Sequence, residues 1–294
     1  MNKIIIIGCG NVGLAYAYSL ISQKFNVKEI ILIDPRDEKT KGEAMDLNHA
    51  SVINESFINF KYGTYKDCEN ADLICITAGN DVHVNDRDKS LDNNLIILKE
   101  IIKNIKKTSF KGFYLIATNP VDIITYYTQK LTNQDPNKVI GTGTLLDTAR
   151  YKFITAQKLN INPDDVKGFF IGQHGKTGFI TWSKNENNID ENDKKLIESK
   201  VISAAFDIIK RKQNTSYGIG TSLAFITKAL TRESATLIPI SCFDEKENIY
   251  YSYPAYINKN GVIGHKNLNL NENENEKLLK SINKIKKLIE DENK

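Results

Sequence analysis

The 294-residue sequence predicts a doubly wound α/β fold, a largely parallel sheet covered by helices on both faces, followed by a mixed α/β region. Three observations lead there. Short, almost wholly apolar runs recur through the first half; amphipathic helical patterns separate them; and after about residue 141 the alternation gives way to longer helices and closely spaced strands. Strands buried on both faces lose the polar alternation of half-exposed ones, so continuous apolar runs between helices indicate a covered parallel sheet.

The elements follow in order. Residues 3–7, containing Ile4-Ile5-Ile6-Ile7, read as the first strand, 11–23 as a helix and 29–33 as the second strand. A helical pattern over 38–50 precedes strand candidates at 57–62 and 73–77. Residues 88–107 carry Leu91, Leu95, Leu98, Ile101, Ile102 and Ile105 at helical spacing, one apolar stripe on a long helix. A strand at 113–117 and a helix at 121–131 complete the alternation. Beyond it, 144–159, 190–212, 222–230 and 272–290 read as helices, and 166–171 and 178–183 as short strands. Residues 236–242, 249–255 and 261–264 suggest an antiparallel meander. The expected division is 1–141 and 142–294.

Composition narrows the function classes. Apolar residues make up 40% and charged residues 26%, the balance of a soluble globular chain, and no run of about 18 apolar residues marks a membrane span. The opening isoleucine run stops at Gly8, too short for a secretory signal, so the expected compartment is the cytoplasm. A net charge of +4 spread over interleaved Lys, Asp, Glu and Asn gives no basic stripe for nucleic acid. Cys9, Cys68, Cys75 and Cys242 form no paired spacing and read as buried free thiols, with no metal site expected.

The first candidate site is Gly8-Cys9-Gly10-Asn11-Val12-Gly13, directly after the first strand and opening a helix. Gly8 permits a tight turn, Gly10 lets a pyrophosphate approach the backbone, and Gly13 lets the helix pack on the sheet. The helix start then presents unpaired N–H groups to the phosphates. Asp34 ends the second strand, where a carboxylate can accept hydrogen bonds from both ribose hydroxyls and repel a 2′-phosphate. The reading is a Rossmann-type NAD site, with Arg36 weakening the preference over NADP a little.

Further strings carry a resemblance. Thr77-Ala78-Gly79, Thr118-Asn119-Pro120-Val121-Asp122, Gly141 to Arg150 (Gly-Thr-Gly-Thr-Leu-Leu-Asp-Thr-Ala-Arg), Gly172-Gln173-His174-Gly175 and Thr215-Ser216-Tyr217-Gly218 stand in order along nearly the whole chain. With Gly8–Gly13 they resemble the L-lactate/malate dehydrogenase family. Trp182-Ser183, Ser252-Tyr253-Pro254-Ala255 and the Leu-Leu-Asp-Thr-Ala-Arg string are most similar to its L-2-hydroxyisocaproate branch. The resemblance implies a Rossmann-type NAD-binding domain followed by an α+β catalytic and substrate domain, and oxidoreductase chemistry on a 2-keto or L-2-hydroxy acid. It also implies a homotetramer or homodimer, and cofactor contacts from Thr77, Ala78, Gly79, Asn94, Thr118 and Asn119.

The chemistry can be built from residue types. Reducing a 2-keto acid needs a proton for the carbonyl oxygen as hydride reaches carbon, and His174, between two glycines, is a candidate donor. By resemblance Asp147 is its carboxylate partner, holding the tautomer and favouring the charged form. Arg150 suits the substrate carboxylate because a planar guanidinium can pair with it in bidentate fashion. Asp147 and Arg150, three apart on one helix, can face one site. By resemblance Arg87 polarises the ketone, Asn119 hydrogen-bonds nicotinamide or a substrate oxygen, and Thr215 contacts substrate. Taken alone, each has a plainer reading: a turn histidine, or an Asp-x-x-Arg bridge on a helix surface.

For the substrate side chain, the family's selecting position is Val82, or His83 if a shorter loop shifts it. Residues 80–86 contain no Arg or Lys, so the second carboxylate of oxaloacetate would be buried beside Asp81 and Asp86 without a partner. An apolar Val82 points to a branched or medium side chain such as 2-ketoisocaproate, with pyruvate as the alternative. Gln173 stands where the family commonly has Glu. Lys152 and Lys167 match positions that bind a sugar bisphosphate in some relatives, and read here as solvated surface charge. A non-catalytic NAD-binding protein is the competing class, opposed by the intact set of Arg87, Asp147, Arg150 and His174. An NAD-dependent glycosidase would want a Cys/His metal pair that the sequence does not show.

Overall fold

The computed structural model describes residues 1–80 and 90–292. Arg87, Val82 and His83 therefore lie outside the described residues.

Eleven strands and eight helices organise the described chain around one nine-stranded sheet. In its first half the strands are β1 (Lys3–Ile7), β2 (Glu29–Ile33), β3 (Asn59–Tyr62), β4 (Leu73–Ile76), β5 (Phe113–Ile116) and β6 (Val139–Gly141). They run parallel in the order β3-β2-β1-β4-β5-β6, reversing direction of growth at β1 and β4. In such sheets the crevice at the carboxyl ends of the strands at this reversal is where ligands bind.

The helices between them are α1 (Asn11–Ser22), α2 (Asp37–Ile53), α3 (Leu91–Ile105) and α4 (Val121–Thr132). Alternate strand residues separate the two cores. Ile4, Ile6, Ile30, Leu32, Leu73 and Cys75 pack with Tyr16, Leu20 and Leu47 of α1 and α2 on one face. Ile5, Ile7, Ile31, Ile33, Ile74 and Ile76 pack with Leu95, Leu98 and Ile124 of α3 and α4 on the other. Burying one such side chain contributes roughly 1.5–3 kcal/mol, more than any local propensity difference, so the isoleucine run fixes β1 as a central strand.

The second half adds α5 (Leu145–Leu159), the two-residue strands β7 (Phe170–Ile171) and β8 (Phe179–Ile180), α6 (Glu191–Lys212), α7 (Tyr217–Ala229) and α8 (Glu272–Glu292). The expected meander is present as β9 (Thr236–Asp244), β10 (Ile249–Asn258) and β11 (Gly261–His265). It does not form a separate sheet. β9 joins β6 antiparallel at Gly141 and Ser241, so the meander continues the parallel sheet. A Cβ on Gly141 would fall 2.8 Å from Ser241 Cβ, so a glycine is what lets the two strands close.

Two expected boundaries change for packing reasons. Helix α7 begins five residues before the expected 222, through Gly218 and Gly220. A Cβ on Gly220 would lie 2.6 Å from the Ala15 backbone, so the low-propensity glycine permits close packing on α1. The strands expected at 166–171 and 178–183 shrink to two paired residues each: Gly168 (φ +94°) breaks the first expected strand before Phe170, Gly172 (φ +93°) turns the chain away after Ile171, and Trp182–Lys184 coils into a 3-10 turn.

Candidate active site

The glycine turn sits at the carboxyl end of β1. Gly8 adopts φ +100°, and a Cβ there would lie 2.4 Å from Ala78 N, so both conformation and crowding exclude a side chain. Gly13 is equally crowded, with Gly8 O 2.2 Å from where a Cβ would stand. Gly10 differs: its Cβ would meet nothing within 4 Å. Asn11 opens α1, whose start has no side-chain cap and no acidic residue in its first turn. Open space at Gly10, before unneutralised N–H groups, fits the pyrophosphate of a dinucleotide.

Asp34, just past β2, is buried and accepts the Cys9 N–H (2.8 Å). Arg36 grips both its oxygens, Nε to Oδ1 at 2.7 Å and Nη2 to Oδ2 at 2.8 Å. The guanidinium holds the carboxyl down at about pKa 2, so it is ionised at neutral pH. A ribose hydroxyl placed here would share this acceptor with Arg36.

The ends of β4 and β5 continue the wall. Thr77 Oγ1 donates to Gly8 O (2.6 Å) and Thr118 Oγ1 to Ala78 O (2.7 Å), tying these turns to the glycine loop. Asn94 faces away from this role. It is wholly buried on α3, accepts the Asn80 N–H (2.7 Å) and donates to Asn119 O (2.7 Å), bracing the wall instead of presenting its amide to the cleft.

Beyond that wall a cleft is lined by Val12, Thr77, Gly79, Thr118, Asn119, Arg150, His174 and Thr215, together with Leu146 and Ile219, two apolar residues with no expected site role. Residues far apart in sequence meet here. Asp147 and Arg150 come from the first turns of α5, and His174 from the loop after β7. Asp147 stands between the imidazole and the guanidinium: Oδ2 lies 2.5 Å from His174 Nδ1, and Oδ1 accepts from Arg150 Nη1 at 2.8 Å. The Asp147 and Arg150 side chains are 9% and 12% exposed, so the pair is not a helix-surface bridge. Asn119 Oδ1 is buried with no hydrogen-bond partner among the described residues, an acceptor awaiting a donor. A carboxamide N–H or a substrate hydroxyl would satisfy it.

Asp122 of α4 also went unrecognised as a site residue. Its carboxylate is 2% exposed, accepting the His174 N–H at Oδ2 (2.8 Å) and the Ser252 hydroxyl at Oδ1 (3.0 Å). Burial pushes this carboxyl above the usual range, while those donors and the imidazole pull against the rise. The available signal was an acid in an apolar helix start, Val121-Asp122-Ile123-Ile124. Gln173, also buried, accepts from Thr177 Oγ1 (2.9 Å) within its own loop. The four cysteines are buried and free, and no metal-holding cluster occurs among the described residues. No helix among them is long and apolar enough to cross a membrane.

Comparison with known proteins agrees with this geometry. Residues 2–141 match the family model described as lactate/malate dehydrogenase, NAD binding domain. Residues 144–294 match lactate/malate dehydrogenase, alpha/beta C-terminal domain. The chain is 38% identical to an L-lactate dehydrogenase of Halalkalibacterium halodurans, covering 97% of this chain and 96% of the relative. It is 35% identical to one of Borrelia hermsii, covering 98% of each. A lactate dehydrogenase from a Medee basin deep-sea metagenome superposes with TM-score 0.92 at 36% identity, over 99% of this chain and 98% of that one. The ligand-bound minor L-lactate dehydrogenase of Enterococcus mundtii gives 0.91 at 33% identity, over 98% of each. The chain belongs to the lactate/malate dehydrogenase family, and is an NAD-dependent oxidoreductase acting on the CH–OH group of a 2-hydroxy acid.

Proposed function

We propose that the chain is an L-lactate dehydrogenase, interconverting pyruvate and L-lactate. The observation that carries this reading is the convergence of His174, Arg150 and the unpartnered Asn119 Oδ1 in one cleft with the cofactor walls. The names of the curated relatives support pyruvate over the 2-ketoisocaproate expected from Val82, a residue outside the described ones. The missing cation at residues 80–86 counts against oxaloacetate.

In this reading residues 1–141 hold the cofactor and residues 142–294 supply most of the catalytic groups. The Gly8–Gly13 turn would hold the pyrophosphate, Asp34 the ribose, and Thr118 and Asn119 the nicotinamide end. NAD(H) supplies or accepts the hydride. Arg150 anchors the keto-acid carboxylate through N–H groups other than the Nη1 already on Asp147. His174, engaged through Nδ1, keeps Nε2 to donate the proton to the ketone oxygen, and Asp147 stabilises the imidazolium. Arg87 is assigned to polarise the carbonyl and Thr215 to shape the pocket.

Assembly as a homotetramer or homodimer belongs to the same proposal. It is supported by apolar side chains exposed on α2 and the loop after it (Met45, Val52, Ile53, Phe57) and on the adjacent α1 and α7 (Tyr18, Tyr217). A cytoplasmic setting suits four free thiols.

The test is NADH oxidation with pyruvate, 2-ketoisocaproate and oxaloacetate. Pyruvate should have the highest kcat/KM by at least about tenfold, the scale that small changes in an apolar pocket allow. A comparable preference for 2-ketoisocaproate would reverse the assignment.

A further inference from the structure

Three successive main-chain N–H groups of the His174 loop are each held by a different element. Gly172 donates to Ser252 O of β10 (2.8 Å), Gln173 to Ser281 Oγ of α8 (2.6 Å), and His174 to Asp122 Oδ2 of α4 (2.8 Å). The first two acceptors are neutral. The third is a carboxylate buried where α4 begins, and its other oxygen accepts from Ser252 Oγ (3.0 Å). Asp122 therefore joins α4, β10 and the catalytic loop at one point.

Stability alone gives little reason for an acid there. Desolvating a carboxylate is costly, and apolar replacements of buried charged groups are often neutral or stabilising. Ser241 and Cys242 of β9 add a hydroxyl and a thiol beside it, the thiol's pKa driven up by burial, while the hydroxyls and the His174 loop pull the Asp122 carboxyl back down. Asp122 does not line the cleft. A charge-assisted hydrogen bond is about twice as strong as a neutral one, and this one ends on the main chain of the residue whose imidazole must meet the substrate.

We propose that Asp122 is a positioning residue for the reaction: by gripping the His174 N–H from α4 it sets where the imidazole, already held by Asp147, stands over the cleft. Asp147 orients the ring about its own bonds; Asp122 places the backbone from which the ring hangs. The inference rests on His174 being the proton donor. A misplacement of 1 Å can cost about 10²-fold in rate.

The experiment compares Asp122→Ala, Asp122→Asn and Ser252→Ala with wild type and with His174→Asn. It measures kcat and KM for pyruvate, and the NADH dissociation constant by fluorescence titration. Asp122→Ala should lower kcat about 10²-fold with NADH affinity within about twofold. Asp122→Asn keeps an acceptor for the His174 N–H and can turn its amide toward Ser252 Oγ, so it should recover to within about fivefold of wild type. Ser252→Ala should lose about three- to tenfold in kcat. Wild-type kcat in Asp122→Ala, NADH affinity falling in step with kcat, or Asp122→Asn as slow as Asp122→Ala overturns the proposal. Should Asp122→Ala fail to fold, Ser252→Ala decides: an unchanged kcat overturns it and a fall of about threefold or more at constant NADH affinity supports it. Full turnover in His174→Asn would instead remove the proton-donor reading on which it rests.

Discussion

The two sides of the cleft are built in opposite ways. The cofactor side comes from one βαβ unit, and its working surface is main chain: the turn at Gly8, the open space at Gly10 and the bare start of α1. Asp34 is its principal charged side chain. The catalytic side is assembled from α5, the loop after β7 and the segment before α7, with braces from α4, β10 and α8. A phosphate cradle is thus a property of backbone shape and is lost when a Cβ fills it. A proton-transfer site is a property of side chains, and its accuracy depends on groups that never touch substrate.

This contrast can be broken at either side. The largest effect is expected from His174→Asn, which should lower kcat about 10³-fold while NADH binding stays within about twofold, read by turnover and fluorescence titration. Gly10→Val should give the opposite signature. Gly10 has an extended backbone (φ −84°, ψ −166°) and no neighbour within 4 Å, so folding should tolerate the change. NADH affinity should fall about 10²-fold, nearly 3 kcal/mol at 1.4 per tenfold, with the melting temperature unchanged. A variant that melts early but binds NADH normally would contradict the assignment of that space to phosphate.

The smallest effect concerns Arg36. Arg36→Gln frees the Asp34 oxygens for the ribose and should tighten NADH about threefold, and it should also sharpen discrimination against NADPH, because the charge facing a 2′-phosphate is no longer neutralised. The pH dependence has a definite sign. Pairing with Arg36 lowers the Asp34 pKa from 3.8 to about 2, so the protein gains stability while the carboxylate is ionised. The stability advantage of wild type over Arg36→Gln should be full above pH 4 and vanish as pH falls through about 2, as acid unfolding would show. An advantage that grows on acidification would contradict the pairing.

The same contrast explains what could be read in the sequence. The parallel sheet was legible because isoleucine runs buried on both faces have no other stable place, and the glycine turn because its parts lie next to one another. β6 was missed: three residues, Val139–Gly141, are too few to show a period, and the pairing of Gly141 with Ser241 that merges the meander into the sheet is made across the chain. The spacing of Asp147 and Arg150 fits a surface bridge equally well; only burial separates the two readings. Asn94 carried a cofactor expectation because its sequence position could not reveal that its amide turns inward to Asn80 and Asn119. Asp122 was invisible as a brace because its partners stand 52 and 130 residues away.

The most direct test of the account asks whether the two sides meet on one ligand pair. Binding of oxamate, an amide isostere of pyruvate, should be measured by calorimetry with and without saturating NADH, in wild type and in Arg150→Leu. If the sites share the cleft, NADH should tighten oxamate at least about tenfold, and Arg150→Leu should abolish that coupling while still binding NADH. Equal oxamate affinity in the presence and absence of NADH would contradict the convergence of Arg150 and His174 on the cofactor.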